Sequence, residues 1–251
     1  MIDIDGANER MIFNERAQLS SPKWSTDGAW IAFSRGDEYV ECYDLGHNQC
    51  ITPDEFKRRF RDRKPEEDYP LVKQYSYKLA AVDANGDNYH DIGSMPSAKA
   101  LDWNEAGIVY QSSDGIQRTA DATDAVNQLV AFDQLKPYYY DPDWQPNGGQ
   151  IAFQVKGAAQ WEIYVVNPDG TDLHGITQPV TTLVDVLPSN VAPAYSPDGN
   201  YIVYLSNRGD DNSAGAWRLW VMAADGSNPH PLAIDVPIEY NLAQNRWSVG
   251  A

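Results

Sequence analysis

One four-strand unit recurs along this chain, and its recurrence limits the possible folds more than any other feature. The unit is plainest between 192 and 233, where β-branched and aromatic residues alternate in four short runs, 192–196, 201–206, 217–223 and 228–233. Alternation with a period of two marks strands rather than helices. Asp198-Gly199 separates the first pair of runs and Asp225-Gly226 the second, and glycine supplies the positive φ that tight hairpins demand. The strands of one unit are called a to d below.

The glycines of the c–d turns fall at Gly6, Gly46, Gly86, then an irregular turn near Thr123, then Gly170 and Gly226. Four strands every 40–50 residues or so predict a β-propeller. Units are expected over 20–52, 55–93, 99–133, 140–177 and 192–234, that over 55–93 having lost the pattern of its a–b half. Residues 1–13 fit only the c–d half of a unit, whereas 236–251 hold enough for an a–b pair. Joining the two ends in one sheet would remove two exposed strand edges. The expectation is therefore a single all-β domain, a six-bladed β-propeller of four-stranded antiparallel blades. The pattern is faintest over 55–75, where Phe60 is assigned to the aromatic position of strand a and Tyr69–Tyr75 to strand b.

Two stretches carry a family likeness. Ala192-Pro-Ala-Tyr-Ser-Pro-Asp-Gly199 with Trp220-Val-Met-Ala-Ala-Asp-Gly226, and Pro142-Asp-Trp-Gln-Pro-Asn-Gly148 with Ile163-Tyr-Val-Val-Asn-Pro-Asp-Gly170, resemble the repeats of TolB-type β-propellers. The resemblance implies a six-bladed ring and a periplasmic or otherwise exported scaffold that binds protein, with a cell-envelope component or another domain of the same chain as partner. It covers the propeller alone, so a relative of the propeller, taken from a longer protein or not, is expected rather than a counterpart of the α/β domain that precedes the propeller in TolB.

Composition narrows the partners. A formal charge of -17 repels phosphate backbones and anionic membrane surfaces, which excludes nucleic acid as an expected partner. No run of about 18 apolar residues is present, so no membrane insertion is expected. One window opposes the average: Lys57-Arg58-Arg59-Phe60-Arg61-Asp62-Arg63-Lys64 has six bases and one acid. It reads as a solvated edge neutralised by Glu66, Glu67 and Asp68, or as a patch for an acidic partner.

The residues that could carry chemistry give little support to catalysis. His90, His174 and His230 each follow their turn glycine by four residues, so they occupy rotated copies of one place on the outermost strand and cannot converge on a metal ion; His47 lies in a turn. No metal or cofactor is expected. Without an inward base, and with no Gly-x-Ser-x-Gly elbow, nucleophilic hydrolysis lacks its parts. Carboxylates make the better enzymatic case. Asp102 and Asp143 each precede the tryptophan of strand a, with Asp141 beside them, and paired inward carboxylates are what glycoside hydrolysis requires; capping turns or pairing with a base such as Lys99 is the competing role. Asp83 to Asp91 has alternating oxygen donors but lacks the glycine and the acid of a calcium loop, and reads as a polar hairpin. Cys42 and Cys50 flank Gly46 and either form a cross-strand disulfide in an exported protein or pack reduced between blades.

Recognition is expected on the face from which the d–a and b–c loops emerge, because these loops vary most while the opposite turns are short and fixed by glycine. Its candidate residues are Tyr138, Tyr139 and Tyr140, Trp161, Asp185, Arg208, Asp210 and Asp211. Tyrosine suits such a surface, having large area and a polar tip, although alternation would bury at least one of the three. The function expected is a non-enzymatic scaffold that binds a protein or peptide. The alternative is a carbohydrate-active protein, a lectin-like binder or a glycosidase using Asp102 and Asp143.

Overall fold

The computed structural model describes residues 1, 5–14, 18–45, 50–61, 68–95, 101–112, 115–119, 126–131, 138–157, 159–177, 186–234, 236–241 and 246–249. Its strands form four antiparallel sheets in chain order. The first contains β1 (Gln18–Trp24), β2 (Trp30–Asp44), β3 (Cys50–Ile51), β4 (Leu71–Asp83) and β5 (His90–Met95), with helix α1 (Pro53–Arg59) inserted before β4. The second contains β6 (Leu101–Asn104), β7 (Gly107–Ser112), β8 (Gly115–Thr119) and β9 (Val126–Ala131). The third contains β10 (Tyr138–Trp144), β11 (Ile151–Lys156), β12 (Trp161–Val166) and β13 (His174–Gly175). In the fourth, β14 (Asn190–Tyr195), β15 (Tyr201–Arg208), β16 (Ala214–Ala223) and β17 (His230–Pro231) are extended by β18 (Ile238–Asn241) and β19 (Arg246–Val249).

The cores lie between successive sheets, and the period-two alternation explains why. Along β2, Ile31 and Phe33 pack back against Ile12 and Phe13, while Ala32 packs forward with Leu79 against Leu101, Ile108 and Tyr110. Along β11, Ile151, Phe153 and Val155 meet Val109, Ile116 and Val130, while Ala152 joins Ile163 and Val165 against Ile202, Tyr204 and Met222. One strand thus feeds two layers, as sheets stacked face to face require.

The N-terminal hairpin repeats the geometry of the other c–d turns. Gly6, Gly86, Gly170 and Gly226 have φ of +83°, +94°, +83° and +82°, and Asn8, Asn88, Asp172 and Asn228, two residues later, lie at +53° or +54°. The last three of these turns dock on the unit before them. A Cβ on Gly86, Gly170 or Gly226 would meet the carbonyl oxygen of Ile12, Leu129 or Ile176. Glycine is required there by conformation and by space together.

Two expectations are corrected. The units expected at 20–52 and 55–93 are one sheet, because β2 runs on past Ser34 and pairs with β4 from Trp30↔Asp83 to Tyr43↔Leu71. Tyr39 to Asp44 is therefore a continuation of strand b, and the strand c of this unit is β4. Phe60 is the C-cap of α1 and not part of an inner strand. The local reason is the Thr52-Pro53-Asp54-Glu55 start: the Thr52 side chain accepts from the Glu55 N–H, and proline occupies the first turn, a helix N-terminus. The described strands accordingly form four sheets, not six, with β18–β19 joined to the fourth through Trp217↔Ile238.

The merged sheet carries a long arm. Beyond Gly36, β2 and β4 project as a two-stranded ribbon whose far end is closed by a small core of Tyr43, Ile51 and Phe56, with Leu45 and Tyr69 packed on it. A disulfide joins Cys42 to Cys50, with Cα atoms 5.5 Å apart.

Candidate functional site

The inner strands hold the carboxylates singled out by sequence. Three of them share a kink: Ser21, Asp141 and Ala192, each followed by proline, have φ of +54°, +52° and +52°, and the ladder to the next strand shifts register at that point. Such a conformation costs a non-glycine residue about 1–2 kcal/mol, so the surroundings must hold it. At Ala192 a side chain of the preceding sheet does so. The Ala192 N–H donates to Gln154 Oε1 at 2.6 Å, and Gln154 Nε2 donates to the Tyr240 hydroxyl at 3.3 Å.

The residue before the inner aromatic makes a second latch. The Trp144 N–H donates to Asp102 Oδ2 at 2.9 Å, and the Tyr195 N–H donates to Asp143 Oδ2 at 2.7 Å. Each carboxylate thus satisfies a backbone donor on the next sheet's innermost strand, which has no neighbouring strand on that side. At the same place in the first sheet stands Lys23, its Nζ 3.0 Å from Asp102 Oδ1. Asp102 therefore pairs with Lys23, whereas Lys99 lies outside the described residues.

The electrostatics differ along this row. Burial, followed by repulsion from the Asp102 carboxylate, pushes the Asp143 carboxyl up to about 7, against the opposing pull of the Tyr195 N–H and of Lys23. Burial pulls the Lys23 ammonium down, but attraction to Asp102 outweighs it and the net shift is upward. Two neighbouring carboxyls, one of them pushed up by burial, resemble an acid–base pair, yet both oxygens of Asp102 and one of Asp143 are committed to bonds that hold the sheets together. Asp141 marks the kink itself.

On the opposite ends of the strands the connections gather. Loop 206–214 closes on itself, with the Gly209 N–H donating to the Ser213 carbonyl and Asp211 Oδ1 accepting from the Ser213 N–H and hydroxyl. It is braced to the preceding connection by Ala214 N–H to Val186 O and by Ser189 N–H to Asn207 Oδ1. Arg218 donates to the Arg208 carbonyl at 2.8 Å and stands 3.6 Å from Asp210, which is fully exposed. Arg208 is half-buried and Asp211 exposed.

Other expected contact residues fall elsewhere. Trp161 is 6% exposed and packed with Val191, Leu205 and Tyr240, so it is a core residue. The reason is its place at the start of strand c, facing the next sheet. Tyr138, Tyr139 and Tyr140 are strand residues paired with Lys156, Val155 and Gln154 rather than loop residues; their side chains, Asp185 and His47 lie outside the described residues. The three remaining histidines each place Nδ1 2.7–3.1 Å from the carbonyl two residues earlier, three copies of one turn contact. Among the described residues no three His, Cys, Asp or Glu side chains gather as metal ligands. Asp83 accepts from the Asn85 and Asp87 N–H groups and from the Asn88 amide, so it closes a turn.

Two features had escaped the sequence. Glu162, buried, accepts from the side chains of Gln160, Thr177 and Asn190 and ties the third sheet to the fourth; its position at the start of a strand offered no signal. The arm did offer one, the Thr52-Pro53 helix start inside a supposed blade.

No protein-family model matches the chain. Its fold does match solved structures. A protein described as TolB from Agrobacterium tumefaciens superposes with a TM-score of 0.50 at 16% identity, over 92% of this chain and 86% of that one. Oligogalacturonate lyase from Vibrio parahaemolyticus gives 0.59 at 12% identity, over 98% and 62%. A puromycin hydrolase gives 0.53 at 14% identity, over 96% and 34%. The chain thus spans less than two thirds of the lyase and about a third of the hydrolase. At these identities the likeness shows the fold, a β-propeller type, and nothing of the chemistry.

Proposed function

We propose that this chain is a non-enzymatic, exported scaffold that binds a protein or peptide through the face carrying loops 157–160, 186–190 and 206–214. One observation carries the reading: the inner carboxylates are spent on latches between sheets, while the long insertions stand at one end of the strands. The short turns at the other end are fixed by glycine and by carboxylates that cap their own backbone. The Cys42–Cys50 disulfide supports an oxidising compartment. Successive sheets packed face to face support a ring of blades, which the two chain ends would close.

The test places a photo-crosslinking residue at Asp210 and, separately, at Asp225 on the opposite face. Crosslinking of a cell-envelope extract from Asp210 and not from Asp225 is expected. Equal products from both sites, or from Asp225 alone, would remove the assignment of the face.

A second reading rests on Asp143, whose carboxyl, pushed up to about 7 by burial and by Asp102, keeps the proton that a sugar-cleaving acid must donate. Binding to a glycan array, followed by turnover that Asp143→Asn abolishes, would favour it over the scaffold.

A further inference from the structure

Among the described residues the outer edge of β2 is paired at both ends and not in the middle. At its base β1 pairs with it as far as Gln18↔Gly36, and at its tip β3 pairs with Tyr43 and Asp44. Between them, among the described residues, no strand pairs with Glu38–Cys42 on that side. Parity shows which backbone groups face the gap. The Asp44 N–H donates to Pro70 across the ribbon, and the β2–β4 register runs without a shift from Glu38 to Tyr43. In an antiparallel ladder the direction alternates, so Cys42 and Val40 also point toward β4, while Tyr39 and Glu41 point their N–H and C=O outward into the gap.

The charges along this stretch of β2 are of one sign. Residues 37–44 carry four acids and no base, whereas β4 carries Lys73 and Lys78 and no acid before Asp83. Lysine on an edge opposes strand addition, which disfavours the β4 side. On β2, one face presents Tyr39 and Glu41 and the other Glu38 and Val40; Tyr39 is 46% and Val40 50% exposed. A two-stranded ribbon open on both faces is a weak structure by itself. A third strand would strengthen it.

We infer that the gap on β2 captures an extended, basic segment of a partner polypeptide as an added antiparallel strand. The order of side chains opposite Glu41, Val40, Tyr39 and Glu38 is base, apolar, apolar, base. The net charge of -17 draws such a segment in, and β1 and β3 bound its length. The gap lies on the arm, the b–c connection of the first sheet, and not on loops 157–160, 186–190 or 206–214; the inference rests on the reading of the chain as a polypeptide-binding scaffold. Failure here would leave the Asp210 crosslinking result untouched.

The probe is the peptide acetyl-Gly-Lys-Val-Tyr-Lys-Gly-amide, titrated into 15N-labelled protein with the disulfide intact. Saturable shift changes confined to the β2 ribbon and its flanks are expected. Glu41→Pro removes an outward N–H without touching the β2–β4 ladder, and should weaken binding at least tenfold. Glu41→Gln keeps the N–H and should weaken it only a few-fold, most at low salt. A peptide with N-methyl groups on alternate residues keeps its charge and should not bind. If it binds as well as the parent, or if Glu41→Pro and Glu41→Gln behave alike, the attraction is charge alone and the inference falls. Should Glu41→Pro disorder the arm, the N-methyl comparison on the wild-type protein still decides. Sedimentation that finds dimers abolished by Glu41→Pro would assign the edge to a second copy and overturn it as well.

Discussion

Replacing Asp143 by asparagine tests whether the inner carboxylates act as latches. In the unfolded chain an aspartate loses its proton near pH 3.9; in the fold Asp143 holds it to about 7, because burial and Asp102 disfavour the charge. Between these values the native state binds a proton that the unfolded state has released. The sign follows: the contribution of Asp143 to stability is whole below pH 4 and is lost as pH rises toward 7. Three pKa units correspond to up to about 4 kcal/mol, with a slope of up to about 1.4 kcal/mol per pH unit. Asparagine keeps an oxygen for the Tyr195 N–H and cannot ionise. Urea unfolding at pH 5 and pH 8 should therefore show Asp143→Asn close to wild type at pH 5 and more stable at pH 8. Alanine in the same place leaves the Tyr195 N–H without its acceptor and should cost about 1–3 kcal/mol at pH 5. If Asp143→Asn unfolds with the wild-type pH slope, or is weaker than wild type at pH 8, the latch with a neutral acid is wrong.

Two further outcomes follow from the geometry. Gly226→Ala would place a Cβ 2.5 Å from the Ile176 carbonyl oxygen at a φ of +82°, and should lower stability by more than about 2 kcal/mol, read as a fall in Tm; an unchanged Tm would mean that the turn does not dock on the preceding sheet. Reducing Cys42–Cys50, eight residues apart in sequence, should cost about 2.5 kcal/mol by the chain-entropy relation. That loss should concentrate in the arm, where amide exchange at Tyr43, Ile51 and Phe56 would accelerate while β11 and β15 stay protected; uniform acceleration would contradict an arm that opens by itself.

Much of this architecture is local in origin, and that part was legible. Alternation along 101–131, 138–175 and 190–231 marks the strands because each serves two flanking cores, and Asp-Gly pairs mark the turns because few residues accept positive φ. The equal offsets of His90, His174 and His230 gave one turn in three copies, which the structure repeats in their Nδ1 contacts. Strand partnership, in contrast, is not a local property. Residues 39–44 alternate as well as any strand c, and nothing within them says that β2 runs on to meet β4 some thirty residues later; that pairing turned two expected units into one sheet with an arm. Nor does a sequence say what a carboxylate touches. Asp102 and Asp143 were visible as a repeated pair, but whether they face a substrate or the backbone of the next sheet depends on how the sheets stack, and only the folded chain brings Lys23, Trp144 and Tyr195 to them.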